Sequence, residues 1–383
     1  MSTLKVDAIR HNSATSDAIT TASDGTCTAR ITGMTGGGGL SHRNIIVNGG
    51  MKVAQRSVSE AITGAGYHTV DRFKTVANSS MTYAVTMSQE NDNPDGLGKS
   101  VKLLTTTAKT PSGSENYILR YTGEEQDITG AGLGTSSCKQ LTISFSVKTN
   151  KTGTHGFQIY LGNNQPNMTV AYTVSSANTW ERKTITFPTY TSSYSHNSDN
   201  AKGFMIDWNL ASGPDDIMAP YNWATGSTAA RGVTGQVNML DTVGNYFQLT
   251  NVQLEIGDTA TSFEHRSIGE ELYRCQRYYF KFCEGTNKEL NVVWYFTGSH
   301  ISFFLRYPTT MRAAPTLSIT TGTNYYINYR NGGNDQFDGF ASEFISTEQM
   351  SCFRNTQVSG TAGQAGILRT NNSAAKVEIS AEL

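Results

Sequence analysis

The side chains able to do covalent chemistry are scattered through this 383-residue sequence. The seven histidines are His11, His42, His68, His155, His196, His265 and His300, and no two fall in an HxH, HxxxH or HExxH spacing. Metal ligation needs convergent donors, which this spacing does not offer. No GxSxG elbow is present, and "GTSSC" and "GAGLG" lack the strand-to-helix setting of a phosphate loop, so both read as turns. Cys27, Cys138, Cys275, Cys283 and Cys352 are odd in number and free of CxxC spacing, which points to free thiols. The densest carboxylates, Asp207, Asp215 and Asp216, lie in "IDWNLASGPDD". A glycosidase sets two carboxyls at a fixed separation across a sugar; loop acids serve equally well in turns. The expectation is no catalytic residue, no bound metal and no cofactor.

Contact chemistry is better represented. "TYTSSYSHNSDN" and "MAPYNWATGS" place Tyr190, Tyr194, Tyr221 and Trp223 in loop-like stretches beside Asn and Asp. Aromatic faces suit the apolar face of a sugar, and the neighbouring polar groups suit its hydroxyls. The competing reading of Trp223 is a plug at the end of a β-sandwich. Trp180, beside a strand in "ANTWERKTITF", reads as core. A second aromatic set, Tyr325, Tyr326 and Tyr329, lies in "TNYYINYRNGG".

These residues must be carried by strands. Charged residues make up only 16% of the chain, against roughly 25% in ordinary soluble domains, and Gly, Ser, Thr and Asn fill the difference. The net charge of −1, without a basic block, leaves no footprint for a nucleic-acid partner. No apolar run reaches the roughly 20 residues that span a bilayer. "MSTLKVDAIRHNS" lacks the apolar stretch of a secretory signal, which predicts synthesis in a cytoplasm.

Residues 1–39 hold short strand-like pieces too poor in apolar side chains for their own core, ending in the glycine hinge "GMTGGGGL". They read as an anchor that folds on a partner. Residues 40–262 alternate with period 2: Met81, Tyr83, Val85 and Met87; Leu141, Ile143, Phe145 and Val147; Phe157, Ile159 and Leu161; Phe204, Ile206, Trp208 and Leu210. Such strands bury one face each, and their number predicts a β-sandwich or jelly roll. The apolar phase slips between Leu249 and Val252, which predicts a bulge near Thr250–Asn251.

"SIGEELYRCQRYYFKF" then reads as the one helix, connecting over 263–283. Ser267 and Glu270 form an S-x-x-E capping box, and Leu272, Cys275, Tyr279 and Phe282 form one apolar stripe. Residues 284–383 return to alternation and predict a smaller β-sandwich. Its final stretch, "KVEISAEL", turns Val377, Ile379, Ala381 and Leu383 inward and its charges outward. The fold class is all-β, with the helix packing its stripe where two β-units meet.

The joint "NVQLEIGDTATSFEHRSIGEELYRCQRYY" (251–279) closely resembles a motif of tailed-bacteriophage tail fibres and related virion proteins. "RNIIVNGGMKVAQRS" with "YHTVDRF", "YPTTMRAAPTLSIT", and "STLKVDAI" with "ITTASDGT" resemble the domain entries and attachment segment of such fibres. The resemblance implies a non-enzymatic virion protein of the tail, assembled in the host cytoplasm. It further implies a homotrimer attached through residues 1–39 to a tail adaptor or other virion protein, with distal parts binding a host-surface glycan. The 40–262 unit resembles a carbohydrate-binding-module jelly roll. Many such modules hold calcium through a carboxylate in the last strand, but here Leu249-Thr250-Asn251 supplies no Asp.

Loop composition favours Tyr194, Tyr221 and Trp223 for glycan contact. Fibre geometry favours the distal unit with Tyr325 and Tyr326 as a second site. The alternatives are a capsid-decorating knob or other virion ornament, and a polysaccharide depolymerase. The latter would carry long β-helix repeats, and none is visible.

Overall fold

The computed structural model describes residues 6–10, 19–21, 23, 27–29, 42–77, 84–162, 166–195, 199–224 and 230–383. Among the described residues the protein is all-β with one α-helix, Ile268–Gln276. Near the N-terminus, Ala8–Ile9, Ile19–Thr21 and Cys27–Ala29 pair into a small three-stranded sheet. The glycine hinge, Met81 and Tyr83 lie outside the described residues.

Two sheets then face each other. One has six strands, in the order Glu181–Phe187, Leu141–Thr149, Tyr246–Ile256, Ser100–Thr107, Ala84–Glu90 and Ser59–Ile62. The other has seven, in the order Tyr221–Ala224, Asn167–Val174, Gly153–Leu161, Lys202–Ser212, Asn116–Glu124, Phe73–Ala77 and Gly66–Tyr67. The alternating residues expected to face inward do so: Leu141, Ile143, Phe145, Val147, Phe157, Ile159, Leu161, Phe204, Ile206, Trp208 and Leu210 are all buried. Trp208 meets the rings of Phe145 and Phe157 edge-on, each centroid 5.6 Å away. The phase slip is a bulge at Asn251, whose φ of 52° is left-handed. Asn tolerates that region better than most non-glycine residues.

The second unit pairs Tyr279–Glu284, Lys376–Ser380 and Thr316–Ile319 in a three-stranded sheet. It packs on a seven-stranded sheet ordered Gly333–Phe337, Tyr326–Arg330, Ala365–Thr370, Glu289–Thr297, His300–Arg306, Gln349–Arg354 and Ala341–Glu343. Val293, Tyr295, Phe303, Leu305, Tyr326, Phe337, Met350, Leu368, Val377 and Ile379 form its core.

The helix is shorter than its apolar stripe suggested. It ends at Gln276, and Tyr279 and Phe282 belong to the following strand. The run Tyr-Tyr-Phe-Lys-Phe is rich in aromatics that favour strands, and it pairs with Lys376–Ser380. Ser267 caps the helix by accepting from the Glu270 amide at 3.2 Å. The Glu270 carboxylate takes Arg274 at 3.0 Å, one turn on, so the capping box is half made. Leu272 and Cys275 pack on Val47 and Val53 of the first unit, while Phe282 packs on the second core.

The joint itself is polar. The Arg72 side chain is fully buried, and its guanidinium lies 3.4 Å from the Tyr278 ring centroid. It donates to Thr122 O at 2.6 Å and pairs with Glu382. Glu382 is therefore turned inward, against the alternation that placed the charges of "KVEISAEL" outside. Arg56 also reaches Glu382, at 3.3 Å, and lies 3.5 Å above the Tyr279 ring. Arg277 holds Glu124 through two bonds of 2.8 Å. Arg312 spans to Asn200 O, also at 2.8 Å.

Two predictions follow from this joint. Removing one partner of a buried ion pair strands the other charge, typically at a cost of about 3–5 kcal/mol. Glu382→Ala should lower the unfolding free energy by about that amount in urea titrations, whereas Glu289→Ala, on the exposed Arg369 pair, should change it by under about 1 kcal/mol.

The second concerns Asp71, whose carboxyl is pushed by burial from its ordinary 3.8 up to about 6, the Gln55 hydrogen bonds and Arg56 acting in opposition. The folded state thus holds this proton more tightly than the unfolded state. The contribution is fully present below about pH 4 and is lost as pH rises through about 6. Asp71→Asn should remove that fall, read as the difference between the two proteins' stability profiles.

Candidate functional site

The seven-stranded sheet of the first unit buries its inner face in the core. Strand register sets the opposite face residue by residue. Tyr221 pairs with Thr169, Thr169 with Gln158, Gln158 with Asp207, Asp207 with Arg120, Arg120 with Lys74, and Lys74 with Tyr67. Because side chains of paired residues share a face, these seven form one transverse row across all seven strands. The adjoining row carries Asn167, Tyr160, Met205 and Thr122. Both rows are polar with interleaved tyrosines, unlike the apolar inner face.

The floor of this face is recessed and tightly bonded. Asp207 is fully buried and takes Arg120 through two bonds of 2.6 Å. Gln158 Nε2 donates to Thr169 Oγ1 at 2.7 Å, to Tyr221 OH at 3.2 Å and to Ala230 O at 3.2 Å. Gln158 Oε1 is buried without a partner. Tyr160, Tyr221, Lys74, Arg120, Met205 and Lys202 are half-buried and form the accessible lining. One end is closed by the joint, where Tyr67 OH and Lys74 Nζ donate to Leu383 O at 3.0 and 2.7 Å.

Burial, then the Arg120 charge, holds Lys74 down to about 8. The same two causes lower Lys202. Burial raises the Tyr160 hydroxyl, with Arg231 and Asp207 acting on it in opposite directions. The face thus combines a tightly bonded polar row, tyrosines beside it and several cations. It can hold a hydroxyl-rich ligand by hydrogen bonds and ring contact.

The aromatic residues singled out in the sequence do not converge. Tyr221 lies on this face. Trp223, two residues on, points the other way: it packs against Phe187 and Tyr190, and its indole N–H donates to Pro188 O at 2.7 Å. Tyr194 OH donates to Glu125 at 3.0 Å, and its ring lies against Gly162. Tyr326 is fully buried, stacked with Phe337 and donating to Thr320 O, so it is a core residue and no ligand reaches it. Tyr325 packs beside that core, while Tyr329 sits on the outer face under Arg369.

Trp180 is half-buried rather than core; its indole N–H reaches Asp92, and Lys148 lies over its ring. Asp216 is bonded to Asn116, Ser212 and the Arg231 amide, and Asp207 to Arg120, so these two acids of "IDWNLASGPDD" hold structure, while Asp215 is exposed. Among the described residues, no group of three or more His, Cys, Asp or Glu is placed to hold a metal, and no helix is long and apolar enough to cross a membrane.

Gln158, Tyr160, Thr169, Arg120 and Lys74 lie on strands and not in the loop-like aromatic stretches of the sequence. Their signal was the polar half of the strand alternation, as in "GFQIYLG" and "YILRY". An Arg and an Asp standing in otherwise apolar strands was the clue available.

No protein-family model matches the chain, and no curated protein matches it. Solved structures similar to it include the enzymatically active domain of bacteriophage CBA120 tailspike protein 4, at 13% identity and TM-score 0.30 over 56% of this chain and 21% of that one. The chain thus matches about a fifth of that tailspike. A family 11 carbohydrate-binding module of Clostridium thermocellum is similar at 14% identity and TM-score 0.27, over 55% of this chain and 100% of the module. The tandem CBM22 domains of Paenibacillus barcinonensis Xyn10C align at 9% identity and TM-score 0.25, over 90% and 100%. At these scores the likeness is one of β architecture.

The packing of Trp223 generates a prediction. Trp223→Ala should cost about 2–3 kcal/mol in chemical denaturation, less than for a fully buried tryptophan. It should leave the outer face of the seven-stranded sheet unchanged, seen as unaltered tyrosine-ring NMR shifts for Tyr160.

Proposed function

We propose that this chain is a tail-fibre protein of a phage virion that binds a glycan on the host surface without cleaving it. The observation that carries the glycan reading is the polar row from Tyr221 to Tyr67 crossing all seven strands, with Tyr160 beside it. A sugar laid there would place its apolar face on a tyrosine ring and its hydroxyls on the amide and charged groups of the floor. The tail-fibre reading rests on the resemblance of residues 251–279 to the fibre joint.

In this reading residues 1–39 attach to a tail adaptor during assembly in the host cytoplasm, and three copies associate. Association of copies is supported by the second unit. Val292, Trp294, Phe296, Phe304 and Ile367 are large exposed apolar residues, with Trp294 and Phe304 rings 5.5 Å apart. They lie on neighbouring strands of its seven-stranded sheet. A patch of such residues usually marks a surface that another molecule covers.

The test is binding of purified full chain to host-surface polysaccharide. Tyr160→Ala and Tyr221→Phe should each weaken binding by tenfold or more while the melting temperature stays within a few degrees. Unchanged binding by both folded variants would move the site off this face. Release of reducing ends from the polysaccharide would overturn the non-cleaving reading.

A further inference from the structure

The large exposed apolar residues of the second unit are confined to one side of it. Val292, Trp294, Phe296, Phe304 and Ile367 stand on strands of the seven-stranded sheet, and Phe344 and Ile345 follow directly on its edge strand, Ala341–Glu343. None stands on the three-stranded sheet behind it. The two edges of the seven-stranded sheet differ in shape. Toward the edge formed by Gly333–Phe337 lies an open hollow of about 400 Å³. Its lining follows one register row, Asn334 to Tyr329 to Ile367 to Val292, with Ala365 beside it. At the other edge is a projection. Phe344 is 84% exposed, and its φ of 45° is left-handed, a region that a bulky side chain enters only against steric preference. A patch so exposed marks a surface that another molecule covers.

The projection is held in place. Just beyond it Ser346 closes a turn: its Oγ accepts from the amides of Glu348 and Gln349 at 3.2 and 3.1 Å, and its own amide donates to Gln349 O at 2.9 Å. The amides of Tyr307 and Met311 tie this turn down, donating to Glu348 O at 3.0 Å and to Thr347 O at 2.7 Å. A side chain presented on a fixed turn loses little freedom when it is covered. The charges at the two edges are opposite in sign. Glu343 and Glu348 border the projection, and neither forms an ion pair among the described residues. Arg330 and Arg369 border the hollow. Both are partnered within the chain, Arg330 by Asp335 and Ser359 O and Arg369 by the exposed Glu289, so their part is to orient an approaching surface. The strands His300–Arg306 and Gln349–Arg354 separate hollow from projection, so the two do not meet within one copy. Each can meet its counterpart on a neighbouring copy. Such a head-to-tail contact repeats from copy to copy, and it closes into a ring when the rotation allows.

We infer that copies of this chain join head to tail through the second unit, with Phe344 and Ile345 of one copy seated in the hollow between Val292, Tyr329 and Ile367 of the next. This rests on the proposed association of copies and names the contact by which it occurs.

The experiment is analytical ultracentrifugation of the full chain over a concentration series. The expected result is a closed assembly whose mass stops rising with concentration. Phe344→Asp and, at the opposite edge, Val292→Asp should each weaken association tenfold or more. Both side chains are exposed, so each variant should keep the circular dichroism of the parent. Leu97→Asp, at an exposed apolar residue of the first unit, should leave association unchanged. A mixture of the Phe344→Asp and Val292→Asp proteins retains one intact hollow and one intact projection, so it should recover two-copy species that neither variant forms alone. Undiminished association of both variants would overturn the head-to-tail contact and leave the association of copies standing. Weakened association of each without recovery on mixing would also overturn the head-to-tail contact. A wild-type chain that stays monomeric at tens of micromolar would overturn both the contact and the association of copies.

Discussion

A fully buried guanidinium at the joint constrains the arrangement of both β-units. Taking a charge out of water costs several kcal/mol unless it is paired and hydrogen-bonded. Arg72 meets that requirement only with groups from both sides. Thr122 O and the Tyr121 ring come from the first sandwich, whereas Tyr278 and Glu382 come from the segment after the helix and the end of the last strand. Burial alone would weaken the hold of Arg72 on its proton, but the Glu382 charge and surrounding tyrosines more than offset it, and the group stays firmly cationic. Arg72 also adopts a left-handed φ of 73°, a conformation that non-glycine residues adopt only when surrounding contacts enforce it. Separating the units would leave this charge without half of its partners. The joint is therefore better described as one polar cluster than as a linker between independent bodies.

That cluster reaches into the polar face of the first unit. Glu382 and its neighbour Leu383 lie at the boundary: one holds Arg72, the other accepts from Tyr67 and Lys74 of the outer face. Glu124, at the end of a strand of that face, is clamped by Arg277 and Tyr278. One end of this polar face is thus built from residues that the second unit positions. The short helix serves this geometry. Its Cys275 and Leu272 seat on Val47 and Val53, and the chain leaves it directly into the strand bearing Tyr279, so that Tyr278 and Tyr279 arrive over Arg72 and Arg56.

Much of the fold was legible in the sequence because one physical rule dominates it. Strands with one face against a core must alternate, and Phe157, Ile159 and Leu161, or Phe204, Ile206, Trp208 and Leu210, do so without interruption. The bulge at Asn251 showed as a slip in that phase. The end of the helix was not legible, because Cys275, Tyr279 and Phe282 satisfy helical spacing as well as the strand pattern that follows. Only the partner strand, a hundred residues away, decides between them. Glu382 was misplaced for a related reason: alternation assigns a face, but it cannot show that Arg72 waits on the other side. The polar face was not legible in the loop aromatics. Trp223 and Tyr326 have the composition of contact residues, yet both fill packing sites. The polar face is built from the outward positions of strands, whose convergence depends on register across distant segments.

The character of the polar face also limits what binding can yield. Nearly all of its polar groups already bond one another: Arg120 with Asp207, and Gln158 with Thr169, Tyr221 and the Ala230 carbonyl. A preorganised floor costs little to order when a ligand arrives. It also offers few vacant partners, with Gln158 Oε1 a buried exception. Each sugar hydroxyl exchanges water for protein at small net benefit. In the glycan reading, affinity at one such face would depend largely on ring contact at Tyr160 and would be modest. Firm attachment to a cell would follow from several such faces engaging one polysaccharide together, since linked sites act at high effective concentration without any new contact. On that logic the exposed aromatic face of the second unit and the polar face of the first would be complementary: one would gather copies, and the other would give each copy a weak grip.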